Sequence, residues 1–233
     1  MKLFDLDSPL ITFLGKLADL MWLNILTMIC CIPIITAGAA LTSLHYMALK
    51  IIRNEECYIT RGYFKSFKEN FKQATLIWLL FVVVIGMLIA DFYIVYKTDL
   101  EMPQFVSIGL MSIAILVGFT FMYVFPVLAK FENTIIGTLK NAFVMSILQF
   151  PKTILMIVMN IIPVVLMLFV YQVFPLVFLF GISLPAVGAA WLYNPFFKKL
   201  EAQMLGDEEQ PVVSEEDDER IFKDELDESI KID

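Results

Sequence analysis

Residues 10–52 read LITFLGKLADLMWLNILTMICCIPIITAGAALTSLHYMALKII, an apolar stretch about twice the length of one membrane-spanning helix, with Pro33 near its middle and Gly38 soon after. How this stretch divides decides the fold. Proline with nearby glycine interrupts a helix. Ser8-Pro9 supplies an N-cap and a first-turn proline for a helix over 9–32, and Thr36 can cap a second over 37–53. As a tight hairpin the stretch gives two spans; as one kinked helix it gives one. Downstream, the runs 75–96, 105–129, 153–171 and 174–193 each reach the roughly 20 apolar residues that a span requires.

Composition agrees with a membrane setting. Of 233 residues, 59% are hydrophobic and 18% charged, against roughly 45–50% and about 25% in soluble domains, and the mean hydropathy is +0.78. This excludes a secreted disulfide scaffold, a nucleic-acid binder and a mainly disordered chain. The net charge of −7 belongs to the C-terminus: residues 207–233 hold thirteen carboxylates against Arg220, Lys223 and Lys231. The expected organisation is a transmembrane helical domain over 1–205 and an acidic, disordered cytoplasmic tail over 206–233.

Loop charge bears on the threading. Residues 50–72 carry Lys50, Arg53, Arg61, Lys65, Lys68 and Lys72; residues 130–152 carry Lys130, Lys140 and Lys152; Lys198 and Lys199 follow the last run. The positive-inside rule makes these connections cytoplasmic. Six spans leave Lys97 as the one basic residue outside, whereas five spans place Lys2, Lys16 and Lys97 there. The sequence therefore favours an all-α polytopic bundle of six spans as three hairpins over the five-span alternative. Both termini are then cytoplasmic, and residues 33–36 face outward. Ala37-Gly38-Ala39 resembles a signal-peptide cleavage site, but Asp5, Asp7 and Asp19 outweigh Lys2 and Lys16 before it, the wrong sign for such a leader.

A weak repeat supports the hairpins. Pro126-Val-Leu-Ala-Lys130 then Glu132 matches Pro195-Phe-Phe-Lys-Lys199 then Glu201 in its offsets, and Phe67-Lys68-Glu-Asn-Phe71 parallels Leu139-Lys140-Asn-Ala-Phe143.

Candidate functional residues are few. Phe64, Phe67 and Phe71 fall at i, i+3 and i+7 with Lys65, Lys68 and Lys72 beside them, the pattern of an amphipathic helix lying in the cytoplasmic interface, either a lipid anchor or a partner-docking surface. With Glu132 and Lys140 in the helix expected over 132–150, they form the docking set. Polar residues inside the spans are Asp19, Asn24, Asp91 and Asn160. Lys16 and Asp19, three apart, suit a local ion pair; Asp91 sits beside Tyr93 and Tyr96, where an aromatic belt belongs; Asn24 and Asn160 suit interhelical hydrogen bonds. Gly38-Ala-Ala and Gly188-Ala-Ala allow close helix packing, and each follows a proline, Pro33 or Pro185, that could break a helix as at transporter sites. Cys30, Cys31 and Cys57 show no disulfide or metal spacing. A single histidine, His45, argues against zinc or catalytic-triad chemistry, and no metalloprotease, nucleophile-elbow or phosphate-loop motif occurs. The chain reads as neither an enzyme nor a cofactor or metal binder.

The run Gly38-Ala-Ala-Leu-Thr-Ser-Leu-His-Tyr46, the block Phe67-Lys-Glu-Asn-Phe-Lys-Gln-Ala74 with Ile77-Trp78, Phe131-Glu-Asn-Thr134, Leu139-Lys-Asn-Ala142, Pro151 and Asn160 together resemble the YesL-type family of uncharacterised bacterial membrane proteins, over roughly residues 5–200. The resemblance implies a Gram-positive cytoplasmic membrane and a genomic setting beside carbohydrate ABC importers and sensor kinases. The expectation is an accessory or regulatory subunit of such an importer, meeting its permease or ATPase subunits and membrane lipid. A small autonomous transporter or channel acting as a homo-oligomer is the alternative.

Overall fold

The computed structural model describes residues 9–55, 58–97 and 104–208. The acidic tail beyond residue 208 lies outside the described residues, as do the N-terminal residues before Pro9. The described residues are helical: α1 (Pro9–Cys31), α2 (Ala37–Arg53), α3 (Ile59–Lys97), α4 (Gln104–Lys130), α5 (Ile135–Leu148), α6 (Phe150–Phe169), α7 (Phe174–Phe180) and α8 (Ser183–Glu208), with 3-10 turns at Ile34–Thr36 and Tyr171–Val173. Among the described residues, five helices are long and apolar enough to cross a membrane, and α7 with α8, bent by 50° at their break, makes a sixth if the pair is one span. The molecule is an all-α bundle of the polytopic membrane kind. The chain forms two compact units divided in sequence at Tyr193/Asn194. The first holds α1 to α7 and the start of α8; the described part of the second is the end of α8.

The stretch 10–52 folds as a hairpin. Pro33 cannot donate a helical hydrogen bond, and the chain leaves α1 there. Thr36 closes the tip: its hydroxyl donates to the carbonyls of Cys30 at 2.6 Å and Pro33 at 2.8 Å. At the open end the Lys16 ammonium donates to the Asn54 side-chain oxygen at 2.7 Å. That bond brings the start of α1 to the end of α2, so one kinked helix is excluded. Asn54, whose φ is 54°, caps α2 in the left-handed conformation that asparagine tolerates. Lys16 forms no ion pair with Asp19, contrary to the sequence expectation, because hairpin closure supplies Asn54 instead.

The amphipathic segment 63–74 is helical, but it is the first half of α3 and not a separate helix in the interface. No proline lies between it and the apolar run, so nothing stops the helix, which continues unbroken for 39 residues. Its buried face, Ile59, Tyr63, Ser66, Ala74, Ile77 and Phe81, repeats at helical spacing and packs on α2. Antiparallel to the second half of α3 runs α4: Trp78 lies against Phe121 and Phe125 at 6.0 and 6.2 Å between ring centroids, and Phe81 against Phe121 at 5.3 Å.

Residues 132–150 also differ from expectation. Thr134 caps α5, accepting from the Gly137 N–H at 3.2 Å. The helix then folds back along α4, with Phe143 lining an apolar groove beside Phe81, Val84, Leu116 and Thr120. Thr138, Ala142, Met145 and Ser146 form its buried face. It is therefore level with the apolar half of α3 and not confined to the basic end of the molecule. A third antiparallel pair joins α6 to α7 and α8, with Met159 beside Gly188.

Candidate functional site

The docking candidates on α3 lie along its first half, Glu132 meets them where that half ends, and Lys140 stands apart on α5. Tyr63 is fully buried, its hydroxyl donating to the Ala40 carbonyl at 3.3 Å, and around it Phe64, Phe67 and Phe71 form a run of ring contacts: Tyr63–Phe64 at 5.7 Å, Tyr63–Phe67 at 6.3 Å and Phe67–Phe71 at 5.5 Å. Phe67 and Phe71 are half-buried, whereas Phe64 is exposed, as are Lys65, Lys68 and Lys72. The result is a lysine-rich face whose available aromatic edge is Phe64. Where this segment ends, Gln73 donates to the Asn133 carbonyl at 2.7 Å and approaches the Thr138 hydroxyl at 3.4 Å. That bond carries Lys72 and Glu132 to one place, each adjacent in sequence to one of its two ends, and Glu132 and Lys140 are both exposed.

The intramembrane polar candidates do not converge. Asn24, fully buried, donates to the Phe178 carbonyl at 2.8 Å and accepts from the N–H groups of Ile182 and Ser183, both at 2.9 Å. It thereby splints the break between α7 and α8, satisfying the last carbonyl turn of one helix and the first donors of the next. Asn160 is exposed and donates to the Met156 carbonyl of its own helix at 2.9 Å, with the Met122 sulfur of α4 at 4.0 Å as its interhelical contact. Asp91 is exposed on α3. Asp19 lines an open pocket with Lys16, Ile51, Asn54, Glu55 and Tyr58 at the hairpin's open end. The sequence reading missed this pocket because its walls come from both ends of the hairpin.

The glycines differ. A Cβ on Gly38 would fall 2.5 Å from the Ala74 carbonyl oxygen and 2.6 Å from the Trp78 Cβ, so glycine is what lets α2 approach the α3 backbone. On Gly188 it would meet the terminal methyl of Met159, the end of a flexible side chain. Pro33 begins the tip turn, and Pro185 lies in the first turn of α8, where its missing N–H costs no helical bond. Half-buried His45 faces Tyr193, its Nδ1 3.4 Å from the hydroxyl. Among the described residues, no group of three or more His, Cys, Asp or Glu side chains could hold a metal.

Comparison with known proteins returns one family. Residues 20–92, from within α1 almost to the end of α3, match the model described as "Protein of unknown function, DUF624". No curated protein and no solved structure matches the chain. Over those residues the chain is similar to an uncharacterised family, and the matched segment contains the second part of α1, the hairpin turn, α2, the Gly38 contact and the whole lysine-rich face.

Proposed function

We propose that this chain is an accessory or regulatory membrane subunit of a carbohydrate ABC importer, of the YesL type, in a bacterial cytoplasmic membrane with both termini inside. In this reading the first half of α3 docks on a permease or ATPase subunit. The observation that carries it is the exposed Phe64, Lys65, Lys68 and Lys72 face on a helix held rigid by α2. Being preorganised, such a face loses little entropy on binding. The alternative of an autonomous transporter would use the α7–α8 break as a cargo site. Asn24 already satisfies the backbone groups of that break, which supports the accessory reading.

The test is copurification from native membranes with Phe64→Leu combined with Lys68→Gln. Both side chains are exposed, so folding should be spared. Loss of an aromatic contact and a charge from a small interface commonly costs about 2 kcal/mol or more, which lowers partner recovery at least tenfold at unchanged membrane abundance. Undiminished recovery of importer subunits with the double variant would reject docking through this face and leave it a topological anchor.

A further inference from the structure

We infer that the groove at the open end of the α1–α2 hairpin binds a zwitterion that joins a primary ammonium to a phosphate, with the ammonium on Asp19 and the phosphate on Arg61. Two ties build the groove. Lys16 donates to the Asn54 side-chain oxygen at 2.7 Å, and the Trp22 indole N–H donates to the Thr60 hydroxyl at 2.9 Å. These bonds hold one side of α1 against the end of α2 and the start of α3. Asp19 lies midway between them along α1. Two open cavities of about 510 and 780 Å³ adjoin there, both bordered by Asp19, Tyr58 and the buried Ile59.

The charges of this groove are not spent on one another. Asp19 and Arg61 line the larger cavity together, yet among the described residues neither makes an ion pair or a hydrogen bond through its side chain. The Arg61 guanidinium lies over the Tyr58 ring instead, 5.6 Å from its centroid, a contact that steadies a planar cation at the rim. Glu55, the other carboxylate of the groove, is answered by Lys50 at 3.7 Å.

Opposite charges that face one cavity without meeting select a ligand that carries both. The Asp19 carboxylate accepts N–H bonds from an ammonium, and the guanidinium fork of Arg61 fits two oxygens of a phosphate. With Glu55 paired, the remaining charges are Lys16, Asp19 and Arg61, a balance of +1. A phosphate monoester carries about −1.5 to −2 at neutral pH, so an aminophosphate answers that balance where the single carboxylate of an amino acid does not. The same chemistry has two sources, a soluble aminophosphate and an aminophospholipid headgroup. Trp22 and Tyr58, both exposed on the groove, are residue types favoured at headgroup level.

Titration calorimetry of the full chain in an uncharged maltoside detergent tests the inference. O-phosphoethanolamine should bind saturably. O-phosphocholine, whose methyl groups replace the N–H donors, glycerol phosphate, which lacks the ammonium, and β-alanine, which lacks the phosphate, should each bind at least tenfold more weakly. Asp19→Asn and Arg61→Gln, both at exposed positions, should weaken O-phosphoethanolamine at least tenfold. Lys65→Gln, exposed on α3 outside the groove, should leave it unchanged. Dihexanoyl phosphatidylethanolamine separates the two sources: binding at least tenfold tighter than that of O-phosphoethanolamine assigns the groove to a headgroup, and any smaller difference assigns it to the soluble compound. Three results would overturn the inference: no saturable binding of either aminophosphate, equal affinity for all four soluble compounds, or undiminished binding to an Asp19→Asn variant that keeps the parent's unfolding midpoint.

Discussion

Asn24 holds three backbone groups because an amide side chain is both donor and acceptor, and the α7–α8 break exposes both kinds at once. In hydrocarbon no water can replace it. Asn24→Leu keeps the apolar volume but leaves the Phe178 carbonyl and the Ile182 and Ser183 N–H groups unpaired. At about 1–3 kcal/mol for each buried unsatisfied group, the expected loss is about 2–5 kcal/mol after partial relaxation, read as a fall in the unfolding midpoint of the detergent-solubilised protein. A midpoint equal to the parent's would mean that the break has another cap. That Asn24 makes hydrogen bonds is legible from its place in an apolar run. Its partners, more than 150 residues downstream, are not, since nothing local encodes which helix break comes to it. Lys16 shows the converse: an apparent i,i+3 partner in Asp19 lost to Asn54, a residue that only the closed hairpin brings near.

At the scale of elements, the runs of apolar residues marked the helices well, because membrane helices must satisfy their own backbone and need length. The joint between segments was less legible. The aromatic and lysine stripes of 63–74 and the apolar run of 75–96 differ in composition, and a change of composition does not end a helix without a proline, glycine or cap to stop it; α3 runs through. The small-residue motifs were visible as Gly-Ala-Ala, but their unequal weight was not, because it depends on what each faces. Gly38→Ala drives a methyl group into the Ala74 carbonyl and the Trp78 Cβ, atoms that move only if α2 and α3 separate. Overpacking of this kind costs about 1–3 kcal/mol and strikes the most closely buried helix of the bundle. Gly188→Ala meets the mobile end of Met159, which can take another rotamer, so the change should be within about 1 kcal/mol and is offset by alanine's better helix propensity. Paired unfolding curves in one detergent check the contrast, and equal destabilisation by both changes would refute it.

For the whole molecule, the hairpin closure constrains threading more firmly than charge counting does. Lys16 bonded to Asn54 returns the chain to its starting side by the end of α2, whether the hairpin crosses the membrane or turns back within it. The antiparallel α3–α4 pair returns it again, since Val84 shares a groove with Leu116 and Val117. If α6 and the bent α7–α8 helix make the last excursion and return, an even number of passages separates Pro9 from Tyr193. The distribution of lysines then names the side. A fluorescent protein that matures only in the cytoplasm should therefore be bright when fused at either terminus of the full chain, while alkaline phosphatase, active only outside, should be active when inserted after Lys97 and inactive when fused at either terminus. One bright and one dark terminus would mean an odd number of passages, which the closed hairpin permits only if α6 fails to pair with α7 and α8 across the bilayer. Because Met159 lies beside Gly188 in that pair, a disulfide cross-link between cysteines at those two positions would separate a failure of pairing from a failure of the reporter.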